Sequence, residues 1–231
     1  MKEKVYKEIF DRIQVGECAW ALVLVADELT KSPDDPYLLY YAGLAHRRLN
    51  EYDEAKQFYR RSIDADPRNA SVHLGLGIIY QIQEMFDDAI ESLKMATALD
   101  PHFPEAHNSL GLTYSKIGDY REALESYERA AEAIINMAYQ QLNTEGQQFT
   151  SRVTTDGNRT LMVEPDAFDQ VERILKANPM WAINRNNIGC CLAAIGEKQR
   201  AKEMLKESIN FIPEGLKYDA PFVGLTDLEN E

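Results

Sequence analysis

Cysteine is scarce in this chain: three residues in 231, at Cys18, Cys190 and Cys191. Three thiols build no disulfide framework. The adjacent pair falls on a predicted helix, where neighbouring side chains point about 100° apart and a bridge would be strained. Basic residues are also in deficit, with 25 Lys and Arg against 38 Asp and Glu and a net charge of −13. A surface of that sign repels phosphate backbones, so nucleic acid is not an expected partner. No apolar run reaches the roughly 18 residues of a membrane-spanning helix, so no membrane insertion is expected. Residues 1–20 open as a charged amphipathic segment rather than the apolar core of a signal peptide, and a cytoplasmic location is expected. Phosphate-binding glycine loops, zinc-ligand spacings and nucleophile motifs are missing, so the chain reads as a non-enzyme without a cofactor. Of the four histidines, at 46, 73, 102 and 107, His73 and His107 hold equivalent positions one repeat apart rather than converging on one point, so no metal site is expected.

What the chain has is a period. Gly43, Gly77 and Gly111 stand 34 residues apart; so do Ala55, Ala89 and Ala123, and so do Pro33, Pro67 and Pro101. Three residue types in one register mark a repeating helix-turn-helix unit. In the unit from Pro36 to Asn69, Leu39, Ala42, Gly43 and His46 share one face of a first helix. Asn50 and Glu51 form a polar turn, a second helix carries Ala55, Tyr59 and Ser62 inward, and Pro67 ends it. Small residues at the helix crossing allow close approach, and Tyr and Leu fill the space between pairs.

These residues resemble the tetratricopeptide repeat, most clearly across 36–137. The resemblance implies an all-α, right-handed helix-turn-helix solenoid. Its repeats fall at 36–69, 70–103 and 104–137, with a further one at 182–215 carrying Ile188, Gly189, Leu192, Gly196, Ala201, Leu205, Ser208 and Pro213 in register. Residues 1–35 fit as a degenerate first repeat or cap, through Gly16, Ala21, Val25 and Pro33.

The period then breaks. Gly111 and Gly189 are 78 residues apart, two periods plus ten residues. A degenerate repeat over 138–181 is expected, its second helix opening at Asp166-Ala167 and closing at Pro179. A β-hairpin inserted at about 148–164, turning at Asp156-Gly157-Asn158, is expected within it, with a surface loop as the alternative. No Pro or Gly interrupts Tyr120 to Asn143, which predicts one helix of roughly 20 residues or more. The acidic tail, 216–231, carries Phe222, Val223, Leu225 and Leu228, and either caps the last repeat or enters a groove.

In the family the resemblance names, first helices line a concave groove that takes a peptide. The matching positions here are Tyr37, Tyr40, Leu44, Arg47 and Arg48, then Ser71, Leu74, Ile78 and Gln81, then Glu105, Asn108, Leu112, Ser115 and Lys116. Tyr and Arg are the types most enriched at binding hot spots. Tyr37 and Tyr40 also fit simple contact with the first repeat. The Lys/Asn carboxylate clamp of chaperone-binding members is absent, because Tyr40, Leu44 and Gly75 occupy its positions. The function implied is a protein or peptide-binding adaptor. The other readings are a self-assembling structural protein, hence a homo-oligomer, and a small chaperone for an export substrate.

Overall fold

The computed structural model describes residues 2–144, 152–153, 161–162, 165–213, 220, 224–226 and 228. They form an all-α chain divided into two compact units, Met1–Pro101 and His102–Glu231.

The first unit holds three antiparallel helix pairs. They are α1 (Lys2–Gln14) with α2 (Cys18–Lys31), α3 (Pro36–Arg48) with α4 (Tyr52–Ala65), and α5 (Ala70–Ile82) with α6 (Phe86–Leu99). Both α3 and α5 start on a side-chain cap. The Asp35 carboxylate accepts the backbone N–H groups of Tyr37 and Leu38 at 3.2 Å, and Asn69 Oδ1 accepts that of Ser71 at 3.1 Å. The first helix of each pair is followed by a residue in the left-handed region, at one shared register. Gly16, Asn50 and Glu84 hold it here with φ of 86°, 63° and 58°. Gly118 and Gly196 hold it in the second unit. Glycine is free to adopt that backbone; Asn50 and Glu84 do so at a steric cost.

Each repeating glycine meets a side chain of the second helix of its pair: Gly43 meets Tyr59, Gly77 meets Leu93 and Gly111 meets Tyr127. Tyr59, on α4, is fully buried between α3 and α5. A Cβ at Gly43 would lie 2.5 Å from its Cδ1, and one at Gly75 2.5 Å from its Cζ. The phenol therefore joins one repeat to the next, in a cluster with Val72, Leu76 and Ile79. A second cluster, built on Ile9, Ile13, Ala21, Val25, Leu38 and Ala42, fastens α1 and α2 to α3.

The second unit begins with α7 (Pro104–Ile117) and α8 (Tyr120–Thr144). At 25 residues, α8 runs unbroken through the expected repeat boundary at 137, as the absence of Pro and Gly implied. Then come α9 (Pro165–Ala177), α10 (Pro179–Ala194) and α11 (Lys198–Asn210). Helix α10 is bonded to both α7 and α8. Asn184 Nδ2 donates to Tyr127 O at 2.9 Å and to Asn108 Oδ1 at 3.3 Å, and Ser115 Oγ and Cys191 Sγ are 3.5 Å apart. The α10–α11 pair thus packs directly against α7–α8. It repeats a bond of the first unit: Ser208 Oγ donates to Ala182 O at 2.7 Å, as Ser62 Oγ does to Pro36 O at 2.8 Å. Helix α8 has no turn where a new first helix would begin. Its second half instead packs with α9 around Ile134, Ile135, Tyr139, Leu142, Val171 and Leu175.

The inserted hairpin is not established as part of the fold. Arg152–Val153 (β1) and Leu161–Met162 (β2) pair antiparallel over two residues each, Arg152 opposite Met162 and Val153 opposite Leu161. The other residues of 148–164 lie outside the described residues. In the tail, Leu225 and Leu228 pack on Ile188, Leu192 and Leu205, which is the capping arrangement; the rest of 216–231 is described only at 220, 224 and 226.

Candidate functional site

Helical spacing puts residues 37, 40, 44, 47 and 48 along one side of α3, and the structure gives them different work. Tyr37 is 50% exposed, its ring 5.6 Å from that of Tyr6 on α1. Tyr40 is half-buried, 5.3 Å from the ring of Tyr41 and 6.3 Å from that of Tyr59. Burial raises the Tyr40 hydroxyl pKa, against a hydrogen bond with Ser71 and the charges of Arg47 and Arg48. Leu44 is only 6% exposed and belongs to the cluster that holds α1 and α2. Arg48 is spent on the same junction: its Nη1 donates to Ile13 O at 2.7 Å and its Nη2 to Gln14 Oε1 at 2.9 Å. Leu44 and Arg48 are thus structural, and Tyr37 leans on the first helix pair.

Arg47 differs from its neighbour. It is half-buried, and its Nε is buried with no hydrogen-bond partner. The Tyr59 hydroxyl is fully buried beside it, within reach of the Arg47 charge and of a side-chain hydrogen bond with it. Burial pushes the Tyr59 hydroxyl up to about 12, against the downward pull of Arg47, so it remains a protonated donor at neutral pH. On α5, Leu74, Ile78 and Gln81 are all half-buried and hold the same positions one period on.

The second unit places Asn108, Leu112 and Lys116 along α7. Asn108 accepts from Asn184, Leu112 is 44% exposed, and Lys116 is exposed. Two positions escaped the sequence reading: Asn186, in the register of Tyr40, Leu74 and Asn108, and Cys190, in that of Leu44, Ile78 and Leu112. The 78-residue offset of Gly189 would have found both. Asn186 is buried, with an unpartnered Oδ1.

Burial pushes the Cys190 and Cys191 thiols up, which disfavours the thiolate. His46 stacks on Phe58 at 5.2 Å and its Nδ1 lies 2.6 Å from Glu51 Oε2, while His73 Nε2 meets Pro67 O at 3.2 Å. Among the described residues no cluster of His, Cys, Asp and Glu could hold a metal ion, and no helix is long and apolar enough to cross a membrane.

Known structures share this architecture. A MamA crystal structure superposes with a TM-score of 0.61 at 16% identity, over 87% of this chain and 92% of that one. MamA from Desulfovibrio magneticus RS-1 also gives 0.61, at 15% identity, over 90% and 93%. TTC0263, described as a thermophilic TPR protein in Thermus thermophilus, gives 0.59 at 15% identity over the full length of both chains. At these identities the likeness is one of fold. No curated protein matches in sequence. Three family models, each described as tetratricopeptide repeat, match residues 19–70, 46–112 and 104–133. With its register, its helix pairs and these matches, the chain belongs to the tetratricopeptide repeat family.

Proposed function

We propose that this chain is a protein-interaction module that holds an extended peptide segment of a partner against α3 and α5. The observation that carries the reading is the difference between neighbouring residues on α3. Leu44 and Arg48 are consumed by the junction with α1, whereas Tyr40 and Arg47, with Leu74, Ile78 and Gln81 on α5, stay half-buried. Half-buried aromatic, aliphatic and Arg side chains suit a desolvated contact. The tail supports a peptide from elsewhere as the occupant, because Leu225 and Leu228 are already packed within the second unit.

The test is selection from a random peptide display library on the full chain, followed by Leu74→Asp and Ile78→Asp. Selected peptides should lose most of their affinity for both variants. Peptides that bind the variants as well as the parent would place recognition elsewhere.

A further inference from the structure

Every residue of α2 from Cys18 to Ala26 is apolar. A helix that is apolar all round is a buried one. The described residues nevertheless cover only one side of it. Cys18, Ala21 and Val25 are buried in the cluster shared with α1 and α3. Ala19, Trp20, Val23 and Ala26 stand exposed on the other side, Trp20 by 47% and Val23 by 68%. Single exposed apolar residues are ordinary, but a continuous face edged by a tryptophan marks a contact surface.

The charges on that face suit a copy of itself. Helical spacing sets Trp20 and Asp27 along one edge, Ala19 and Ala26 along the other, and Val23 midway. The Arg12 guanidinium lies over the Trp20 ring, 4.1 Å from its centre. Two copies laid antiparallel about Val23 bring Trp20, with its stacked Arg12, onto Asp27 of the other copy. The same placement sets Ala19 against Ala26, small against small, so the two backbones approach closely. A parallel two-fold pair would press Asp27 onto Ala26 with no cation beside it. Arg12 already bonds to Glu17 at 2.6 Å and Asp27 to Lys31 at 2.8 Å, so the contact joins existing pairs into a network. We propose that the outer face of α2 is a self-association surface, on which two copies of this chain pair about a two-fold axis at Val23. Trp20 anchors the contact, and Arg12 with Asp27 sets its direction. The proposal is independent of the peptide groove on α3 and α5.

Sedimentation velocity of the full chain, from about 1 to 100 μM, is the experiment; the mass should rise to twice that of one chain. Val23→Asp, at an exposed position, should weaken pairing about a hundredfold or more, because both copies bury the new charge at the axis. Arg12→Glu and Asp27→Arg should each weaken it about thirtyfold, through two like-charge contacts per dimer. Mixed one to one, these two variants should pair as tightly as the parent, because each reversal then faces its opposite. That gain cannot come from a chain that fails to fold, and unchanged urea midpoints check the single variants. A chain that stays monomeric up to that concentration overturns the proposal, whether its α2 face is then bare or covered by another protein or by a segment of its own. A dimer that Val23→Asp leaves intact overturns it as well. So does a mixture of the two charge variants that pairs no more tightly than either alone.

Discussion

At the scale of single residues, Tyr59 has two roles. Its ring fills the space left by Gly43 and Gly75, and its buried hydroxyl lies beside Arg47. Adding a methyl at Gly75 forces the ring out of place, so Gly75→Ala should cost roughly 1–3 kcal/mol of stability by urea unfolding. Asp35 is the counterpart whose carboxylate oxygens are both used. It caps α3, accepts Tyr6 Oη at 2.6 Å and Lys2 Nζ at 3.0 Å, and so ties α1 to α3. Burial works to raise its pKa, but the bonds from Tyr6, Lys2 and the Leu38 N–H outweigh it and the net shift is downward. A carboxylate depressed in the folded state stabilises above its unfolded pKa of about 4 and loses that contribution as pH falls through its lower folded value. Asp35→Asn should therefore flatten the acid limb of the stability curve below about pH 4, a change that paired urea titrations of parent and variant would reveal.

At the scale of elements, most of the helices were legible because their glycines, alanines and prolines repeat in phase. The long α8 was legible too, since nothing between Tyr120 and Asn143 stops a helix. The left-handed ends show what the register implies energetically. Asn50 and Glu84 stand where Gly16, Gly118 and Gly196 stand, with φ of 63° and 58°. Glu84→Gly should raise stability by roughly 0.5–1 kcal/mol, the steric relief exceeding the added chain entropy. Gly118→Ala should lower it by about 1 kcal/mol. Equal urea midpoints for parent and both variants would contradict the strain. The partition of the groove residues was not legible. Arg47 and Arg48 are adjacent, chemically identical and both at groove positions; only the location of Ile13 and Gln14 separates the arginine tied to α1 from its neighbour. Those partners lie 35 and 34 residues away along the chain, beyond the reach of any local pattern.

At the scale of the whole molecule, each unit has its own closing device. The first is closed by the weakly matching α1–α2 pair, whose cluster takes in Leu38, Ala42 and Leu44 of α3. In the second, Leu225 and Leu228 cover Leu192 and Leu205, the apolar end that a last repeat leaves exposed. Leu228→Ala should destabilise that unit by about 2 kcal/mol and speed hydrogen exchange in α10 and α11 while leaving α3–α6 unchanged. Spacing alone revealed the break between Gly111 and Gly189 but not the contacts made across it. Contacts such as Asn184 with Tyr127 bring α10 onto α8 from positions far apart in sequence, which no local pattern shows. The central claim is that the inner sides of α3 and α5 take a peptide. Chemical-shift mapping of display-selected peptides on the full chain tests it most directly. The account predicts the largest perturbations at Tyr40, Arg47, Leu74, Ile78 and Gln81, with α4 and α6 quiet on their exposed faces. Perturbations confined to those outer faces, or to α9 and the segment before it, would contradict it.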